Sequence, residues 1–430
     1  MSPQPPGSHR RHRVVMIGAG FGGLAVVKGL RDQPVDVVLV DAHNFHTFQP
    51  LLYQVATAGL DVDDVAYAIR GIFRRQRNVE VRMARVTRID ADARVVYADA
   101  GPPIEYDTLV VGAGAVSTSY GVPGVDEHAF ALKSAADAVA MRQHVIGRFE
   151  AAATDPSLAS TGALDVVVCG GGPTGVELAG GMMELFTKVL TPDFPELDVA
   201  RARVVLVEAG DRLLSAFSEA SSDHAREGLT RVGVEVLTGV GVAEVTPAEV
   251  VLVDGRRIAT HTVAWAAGVR AHPIAGSLGV ELGRGGRILV EPDLSVRDRP
   301  EVFAIGDIAA DREHPLPQVA QPAIQGGRHV ARQIARRLAG QPTEPFRYVD
   351  KGSMATIGRH RAVADFPNGR RLSGFVGWVA WLGLHLVYLM GFRNRANVLV
   401  NWAWNYLTYD RGARLLTDEA TSRADYRRAA

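Results

Sequence analysis

The residues best placed to do chemistry in this chain are two acids, each set behind a glycine turn. Asp41 ends a stretch in which the apolar run 14–17 enters Gly18-Ala19-Gly20-Phe21-Gly22-Gly23 and a second apolar run, 35–40, follows. In such a turn the first glycine makes the tight bend, the second lets backbone approach a pyrophosphate, and the third lets helix and strand pack closely. The helix beyond it offers free N–H groups and a positive dipole end to phosphate. An acid about twenty residues further on accepts ribose hydroxyls, and Asp41 holds that place. The pattern returns where the run 166–169 enters Gly170-Gly171-Gly172-Pro173-Thr174-Gly175 and the strand 204–207 ends on Glu208. An acid at that tip favours NADH, because it repels the 2′-phosphate of NADPH, and Arg212 is the one nearby compensation. Two dinucleotide sites in one chain imply electron transfer between two cofactors, with a flavin at the first turn taking hydride from a nicotinamide at the second.

Each turn needs a parallel α/β unit behind it. After the first, the segment 79–111 alternates apolar and polar residues, predicting an antiparallel meander that leads into a buried strand and Gly112-Ala113-Gly114. After the second, a meander over 234–263 leads into Trp265-Ala266-Ala267-Gly268. Gly18 precedes Gly114 by 96 positions and Gly170 precedes Gly268 by 98, so whole domains repeat. In the second copy residues 187–201 lengthen the connection, and Thr191-Pro192-Asp193-Phe194-Pro195 predicts a loop insertion there. Further on, the buried strand 302–305 delivers Asp307 to a loop, and 318–327 leads into a helix over 326–338 with Gln321 and Gln325 near its entrance. The fold class is α/β, with two Rossmann-like dinucleotide-binding domains.

Lys+Arg and Asp+Glu are both 47 among 430 residues, so no global field favours nucleic acid. The single cysteine, Cys169, excludes an intrachain disulfide and the paired redox cysteines of disulfide reductases. Residues 1–12 read as a disordered tail with no apolar signal-peptide core, which predicts a protein that stays in the cytoplasm. Four of the five tryptophans fall between positions 378 and 404. The run 374–392 has His385 as its one ionisable group and reaches the length of about eighteen residues that a membrane span needs. Its glycines, a second apolar run at 398–407 after Arg393 and Arg395, and a basic end through Arg428 suit an interfacial anchor on anionic lipid. A core or dimer helix pair is the competing reading, and His385 is expected to be an interfacial or core histidine.

From about residue 12 onward the chain resembles the type II NADH dehydrogenases, single-subunit, non-pumping NADH:quinone oxidoreductases. The resemblance is carried by both glycine turns, by Phe48-Gln49-Pro50-Leu51-Leu52-Tyr53-Gln54-Val55-Ala56, by Ala304-Ile305-Gly306-Asp307, by Ala320-Gln321-Pro322-Ala323-Ile324-Gln325-Gly326 and by Lys351-Gly352-Ser353-Met354-Ala355-Thr356-Ile357-Gly358. The glycine turns are shared with many flavoprotein reductases, whereas the other segments together are more specific. The resemblance implies non-covalent FAD in the first domain, with Asp41 on the adenosine ribose, Asp307 on the ribityl chain and Lys351 near the flavin ring. Gly18, Gly20, Phe21, Gly22, Gly23, Gln49, Gly112, Gly114 and Gln321 complete the expected flavin contacts. NADH falls to Gly170, Gly172, Gly175, Glu208, Ala267 and Gly268, with Glu177 beside the nicotinamide, and Gln321 and Gln325 line a quinone pocket. Glu177, Lys351, Gln321 and Gln325 are thus the expected catalytic residues, and no metal site is expected.

The implied domains are 13–125 with 285–345 for FAD, 160–284 for NAD(H) and 346–430 for membrane-anchoring helices. The implied partners are NADH, a membrane quinone (menaquinone or ubiquinone) and the bilayer surface. The expected location is peripheral, on the cytoplasmic face of the cell membrane; a homodimer is left open. Two alternatives stand beside this reading, a soluble reductase of a ferredoxin-like acceptor and a non-catalytic redox sensor. A sulfide:quinone reductase needs cysteines that this chain lacks.

Overall fold

The computed structural model describes residues 10–313, 315–408 and 412–416, with the side chains of 392 and 405–407 also left aside. The expected tail lies outside the described residues as far as residue 9, and so does the basic end through Arg428. Two compact units form, one from 1–46, 67–116 and 269–350 and the other from 47–66, 117–268 and 351–430.

The first unit is built on an eight-stranded sheet in which His12–Ile17 pairs in parallel with Val35–Asp41 on one side and Thr108–Val111 on the other. Thr108–Val111 and the stretch 37–40 are continuous β-branched and leucine runs, as strands covered on two faces must be. The helix Phe21–Gly29 lies against the helix Ala320–Leu338. Small residues allow this, since a Cβ at Gly327 would overlap the Gly22 carbonyl oxygen. The sheet corrects two expectations. Val79–Met83 is no meander strand but the parallel edge beside Val35–Asp41, so the antiparallel piece is confined to Val86–Asp90, Val95–Ala98 and Ile104–Glu105. The glutamine helix begins at Ala320, not 326, which puts Gln321 and Gln325 one turn apart inside it.

The second unit repeats the plan. Val166–Cys169 pairs in parallel with Val204–Glu208 and with Thr262–Trp265. Glu235–Thr238 again joins this parallel sheet, and the meander is confined to Val242–Val245, Glu249–Leu252 and Arg257–Ala259. Alternation alone could not separate a sheet-edge strand from a meander strand, because both bury one face. The expected loop insertion is instead largely helical. Pro173–Leu185 continues through a π turn, Phe186–Leu190, into Thr191–Asp193. Pro192 follows the π turn directly, where the helical hydrogen-bond register has already shifted, and Thr191 Oγ1 donates to the Phe186 carbonyl at 2.9 Å.

The aromatic end of the chain belongs to this unit. Three antiparallel strands, Ser353–Thr356, Ala362–Asp365 and Arg371–Ser373, precede the helices Gly374–Tyr388 and Phe392–Thr408. The apolar run breaks at Gly391 (φ +81°), and no helix among the described residues is long and apolar enough to cross a membrane. Arg393 and Arg395, between the two apolar runs, lie in the first turn of the second helix. Arg395 donates to the carbonyls of Val387 and Leu389 and so satisfies the end of the preceding helix. Trp381 and Val398 are buried, while Val376, Val379, Val387, Val400 and Trp404 are exposed. One face of this segment is therefore packed and the other apolar and open. His385 is half-buried, stacked on Trp381 with ring centroids 3.9 Å apart, and kept neutral by burial, which pushes its pKa down to about 4.

Candidate functional site

In the first unit the turn is fixed by steric necessity. Gly18 has φ +95°, and a Cβ there would overlap the Gly112 carbonyl oxygen; one on Gly23 would overlap that of Gly18. At Gly20, by contrast, an added Cβ meets no protein atom within 4 Å. The open side of the turn is thus where the second glycine of a phosphate-binding fingerprint needs it. Asp41 Oδ2 accepts from the Ala19 N–H at 2.6 Å and Oδ1 from the His43 N–H at 2.8 Å, which locks the carboxylate at the strand tip.

His46 escaped sequence reasoning. Its Nδ1 lies 2.9 Å from the Ala19 carbonyl oxygen and must donate to it, while the buried Nε2 has no partner among the described residues. Phe21 meets the imidazole edge-on at 5.1 Å, and burial lowers its pKa, so the ring is neutral with an acceptor lone pair to spare. No spacing rule marks such a histidine. The open turn, the fixed acid and this orphan acceptor fit an adenine dinucleotide such as FAD.

Asp307 is half-buried on the short turn Gly306–Ile308, and its carbonyl oxygen accepts from Gln318 at 3.0 Å. Gln325 is committed to structure: its amide exchanges both hydrogen bonds with the backbone of Val349, at 2.9 and 3.0 Å, and donates to Gln321 Oε1 at 3.3 Å. Gln321 is half-buried beside it. Gly112 and Gly114 follow the strand Thr108–Val111, with Gly114 at φ +72°.

The second unit shows the same device. Gly170 (φ +111°) would bring a Cβ within 2.6 Å of the Ala266 carbonyl oxygen, a Cβ on Gly175 would overlap the Gly170 oxygen, and Gly172 is open. Glu208 accepts from the N–H groups of Gly171 at 2.5 Å and Gly210 at 2.6 Å. Arg212 is turned onto the Ser215 carbonyl at 3.0 Å. Ala267 and Gly268 follow the strand Thr262–Trp265, and the Gly268 carbonyl accepts from the Thr118 N–H at 3.3 Å. Gln49 is also in this unit, where its amide reaches the Lys133 carbonyl at 3.4 Å. Lys351 is exposed, with Nζ 3.4 Å from the Tyr388 hydroxyl.

Glu177 is the unusual group. It lies on the helix Pro173–Leu185, is buried, and accepts from the Thr356 N–H at 3.1 Å. Burial pushes its pKa up to about 8, against the opposing pull of hydrogen bonds from Thr356. Trp381 also favours the charged form, although its buried Nε1 has no partner of hydrogen-bonding geometry. A carboxyl that titrates near neutrality can hold or release a proton at physiological pH. Beside it a cavity of about 100 Å³ is walled by Tyr53, Thr356, Trp378, Trp381 and Trp402.

Comparison with known proteins places these features in context. The family model for pyridine nucleotide-disulphide oxidoreductases matches residues 12–327, and that for the NDH2 C-terminal domain matches 351–409. The type II NADH:quinone oxidoreductase Ndh of Mycobacterium tuberculosis is 40% identical over 432 residues, covering 97% of this chain and 92% of the relative. The type II NADH:quinone oxidoreductase of Staphylococcus aureus is 32% identical over 370 residues, covering 82% and 89%. Among solved structures, NDH2 from Plasmodium falciparum in complex with NADH superposes with a TM-score of 0.86 at 20% identity, over 94% of this chain and all of that one, a likeness of fold.

Proposed function

The chain belongs to the type II NADH:quinone oxidoreductases, and from that premise we propose that its first glycine turn holds FAD and its second holds NADH. The enzyme oxidises NADH and passes two electrons to a quinone without pumping protons. The observation that carries the assignment of sites is the duplication itself: two open glycine turns, each with an acid tied to the turn's own backbone. Bound FAD supplies a ring that accepts hydride and gives up two electrons.

The chain's own residues do the rest. The carboxylates of Asp41 and Glu208, already oriented by backbone N–H groups, receive the two adenosine riboses, and Glu208 disfavours a 2′-phosphate. Phe21, Gly22, Gly112, Gly114, Asp307 and Gln49 complete the flavin contacts; Ala267 and Gly268 border the nicotinamide nucleotide. Glu177, neutral below pH 8, keeps a proton at its carboxyl without placing a fixed charge beside the nicotinamide. Gln321 serves the quinone, while Gln325 positions it. Lys351 serves the flavin ring. The domains are then 13–125 with 285–345 for FAD, 160–284 for NADH and 346–430 for the membrane. The match to the NDH2 C-terminal domain favours a quinone over a ferredoxin as acceptor. In an anaerobic cuvette the purified protein should show a flavin spectrum that NADH bleaches and a menaquinone or ubiquinone analogue restores. Bleaching without restoration would point to a protein acceptor, and no flavin would overturn the assignment.

The exposed apolar face of the C-terminal helices rests on the bilayer, from the cytoplasmic side. Deleting 374–430 is a poor test, because Asn394 donates to the carbonyls of Asp63 and Ala66 and Trp381 is core. Charging the outer face spares the packing. Each exposed apolar side chain is worth about 1.5–3 kcal/mol when buried in lipid. The combined variant Val387→Glu, Val400→Glu, Trp404→Glu should keep its flavin but move from the membrane pellet to the supernatant. Retention in the pellet would contradict this face as the anchor.

A further inference from the structure

A tyrosine stands beside the second glycine turn at a conformational cost that its packing does not repay. Tyr120 and Gly121 both have positive φ, +52° and +78°, and the Val122 N–H donates to the Ser119 carbonyl at 3.0 Å. Residues 119–122 thus close a turn of the mirror-image class, whose first central position suits glycine, asparagine or aspartate. For a bulky aromatic residue the left-handed region is a genuine outlier. Burial does not offset it, since Tyr120 is 67% exposed.

The ring lies on Gly268, where an added Cβ would overlap the Tyr120 hydroxyl oxygen. The backbone of Gly268 is outside the left-handed region, so the tyrosine, and not the chain's course, demands a glycine there. The loop is held at both ends. Thr118 donates its N–H to the Gly268 carbonyl at 3.3 Å and accepts from Trp265 Nε1 at 2.8 Å, while the Pro123 carbonyl accepts from the Val245 N–H at 3.0 Å. Strand order decides which half of a dinucleotide meets the ring. Val166–Cys169 lies between Val204–Glu208 and Thr262–Trp265. With pyrophosphate at the turn after the middle strand and adenosine at Glu208 on one side, the nicotinamide half passes to the other side, over 265–268. Ala266 and Ala267 press on Gly170 of that turn, and Gly268 with its tyrosine comes next.

We propose that Tyr120 is a substrate-positioning residue of the NADH site, its hydroxyl hydrogen-bonding the nicotinamide half of the dinucleotide where that half crosses Gly268. This role rests on the reading above, in which the second turn holds NADH. A phenol hydroxyl donates and accepts, so it suits a ribose hydroxyl or a carboxamide equally. Backbone strain persists where the surrounding structure over-determines it, and the two anchored ends of the loop do so here. The left-handed residue is what sets the hydroxyl on Gly268, and the adenosine side of the site, at Glu208, is out of its reach across the middle strand.

The test uses the flavin-loaded, full-length protein. Anaerobic bleaching of the flavin at rising NADH concentration gives the Kd for NADH, and ADP as a competitor gives a Ki for the adenosine half alone. Tyr120→Phe removes only the hydroxyl. It should raise the Kd for NADH about fivefold, the worth of one hydrogen bond, and leave the Ki for ADP at the wild-type value. Tyr120→Gly, which suits the left-handed backbone, should weaken NADH about tenfold and melt no lower than wild type. An unchanged Kd for NADH in Tyr120→Phe would overturn the proposal. So would a Ki for ADP that rises as much as the Kd for NADH, together with a lower Tm in Tyr120→Gly, because the ring would then serve the fold. Glu208→Ala separates this failure from failure of the underlying reading. It should raise the Ki for ADP; if it does not, the second turn is not the NADH site and both fall. A normal response at Glu208 with none at Tyr120 overturns the role of the tyrosine alone.

Discussion

Gly175→Ala is expected to raise the Kd for NADH more than a hundredfold and leave the protein yellow with flavin, whereas Gly23→Ala should yield colourless chain. The two changes are equivalent sterically. A Cβ on Gly175 overlaps the Gly170 carbonyl oxygen and one on Gly23 overlaps that of Gly18. Neither turn can give way, because Gly170 and Gly18 are pressed against the Ala266 and Gly112 carbonyls in a left-handed conformation. The helix start must therefore move off its strand, and the N–H groups aimed at pyrophosphate move with it. A hundredfold loss is about 2.7 kcal/mol, well within what a displaced phosphate cradle costs.

Gly20→Ala and Gly172→Ala separate packing from binding. Their methyl groups meet no protein atom within 4 Å, so the fold tolerates them and any loss of affinity comes from the space the ligand needs. Flavin-to-chain absorbance and a fluorescence titration with NADH decide the matter. Flavin lost from Gly175→Ala and kept in Gly23→Ala would exchange the two assignments, and unchanged affinities in all four would dissolve them.

The glycine turns were legible because one backbone geometry demands them wherever a dinucleotide meets a helix start. The parallel core strands were legible for a similar reason: a run such as 204–207, β-branched and apolar throughout, has no solvent face to show. What escaped shares a different character. Val79–Met83 and Glu235–Thr238 were assigned to meanders because an edge strand of a parallel sheet also alternates, and only its partner tells the two apart. The helical continuation past Leu185 was hidden by Pro192, which breaks a regular helix in its interior but here follows a π turn. At the sites, Asp41 and Glu208 could be placed by spacing, since the strand ends where its hydrophobic run ends. His46 could not, because its role depends on the Ala19 carbonyl 27 positions away in sequence. Nor could the row from Trp402 through Gln54 and Tyr53 to Thr356, whose members come from three separate segments. Spacing encodes local geometry; a hydrogen-bond chain across segments is a property of the packed unit.

The buried carboxyl carries a second large consequence, for stability. The ordinary glutamate value is 4.5 and that of folded Glu177 is about 8, so the folded chain holds this proton more tightly than the unfolded one. For an acid raised in this sense, the neutral group costs the fold nothing extra below pH 4.5. Stability falls as pH climbs from there toward 8, and the loss is complete above the folded value. The slope approaches about 1.4 kcal/mol per pH unit between the two values and flattens near each, so between pH 5 and pH 8 this one group removes about 3–4 kcal/mol. Glu177→Gln keeps the shape and cannot ionise. Its stability relative to wild type should therefore rise by that amount over the same interval, the other titrating groups cancelling in the difference. Urea unfolding followed by tryptophan fluorescence from pH 5 to pH 9 measures it, and parallel curves for the two proteins would show that the carboxyl is ionised in the fold already at pH 5. The same variant sharpens the chemical question: a glutamine that stabilises the fold at pH 8 and slows flavin reduction there would mean that the carboxyl is kept, at a cost in stability, for its proton.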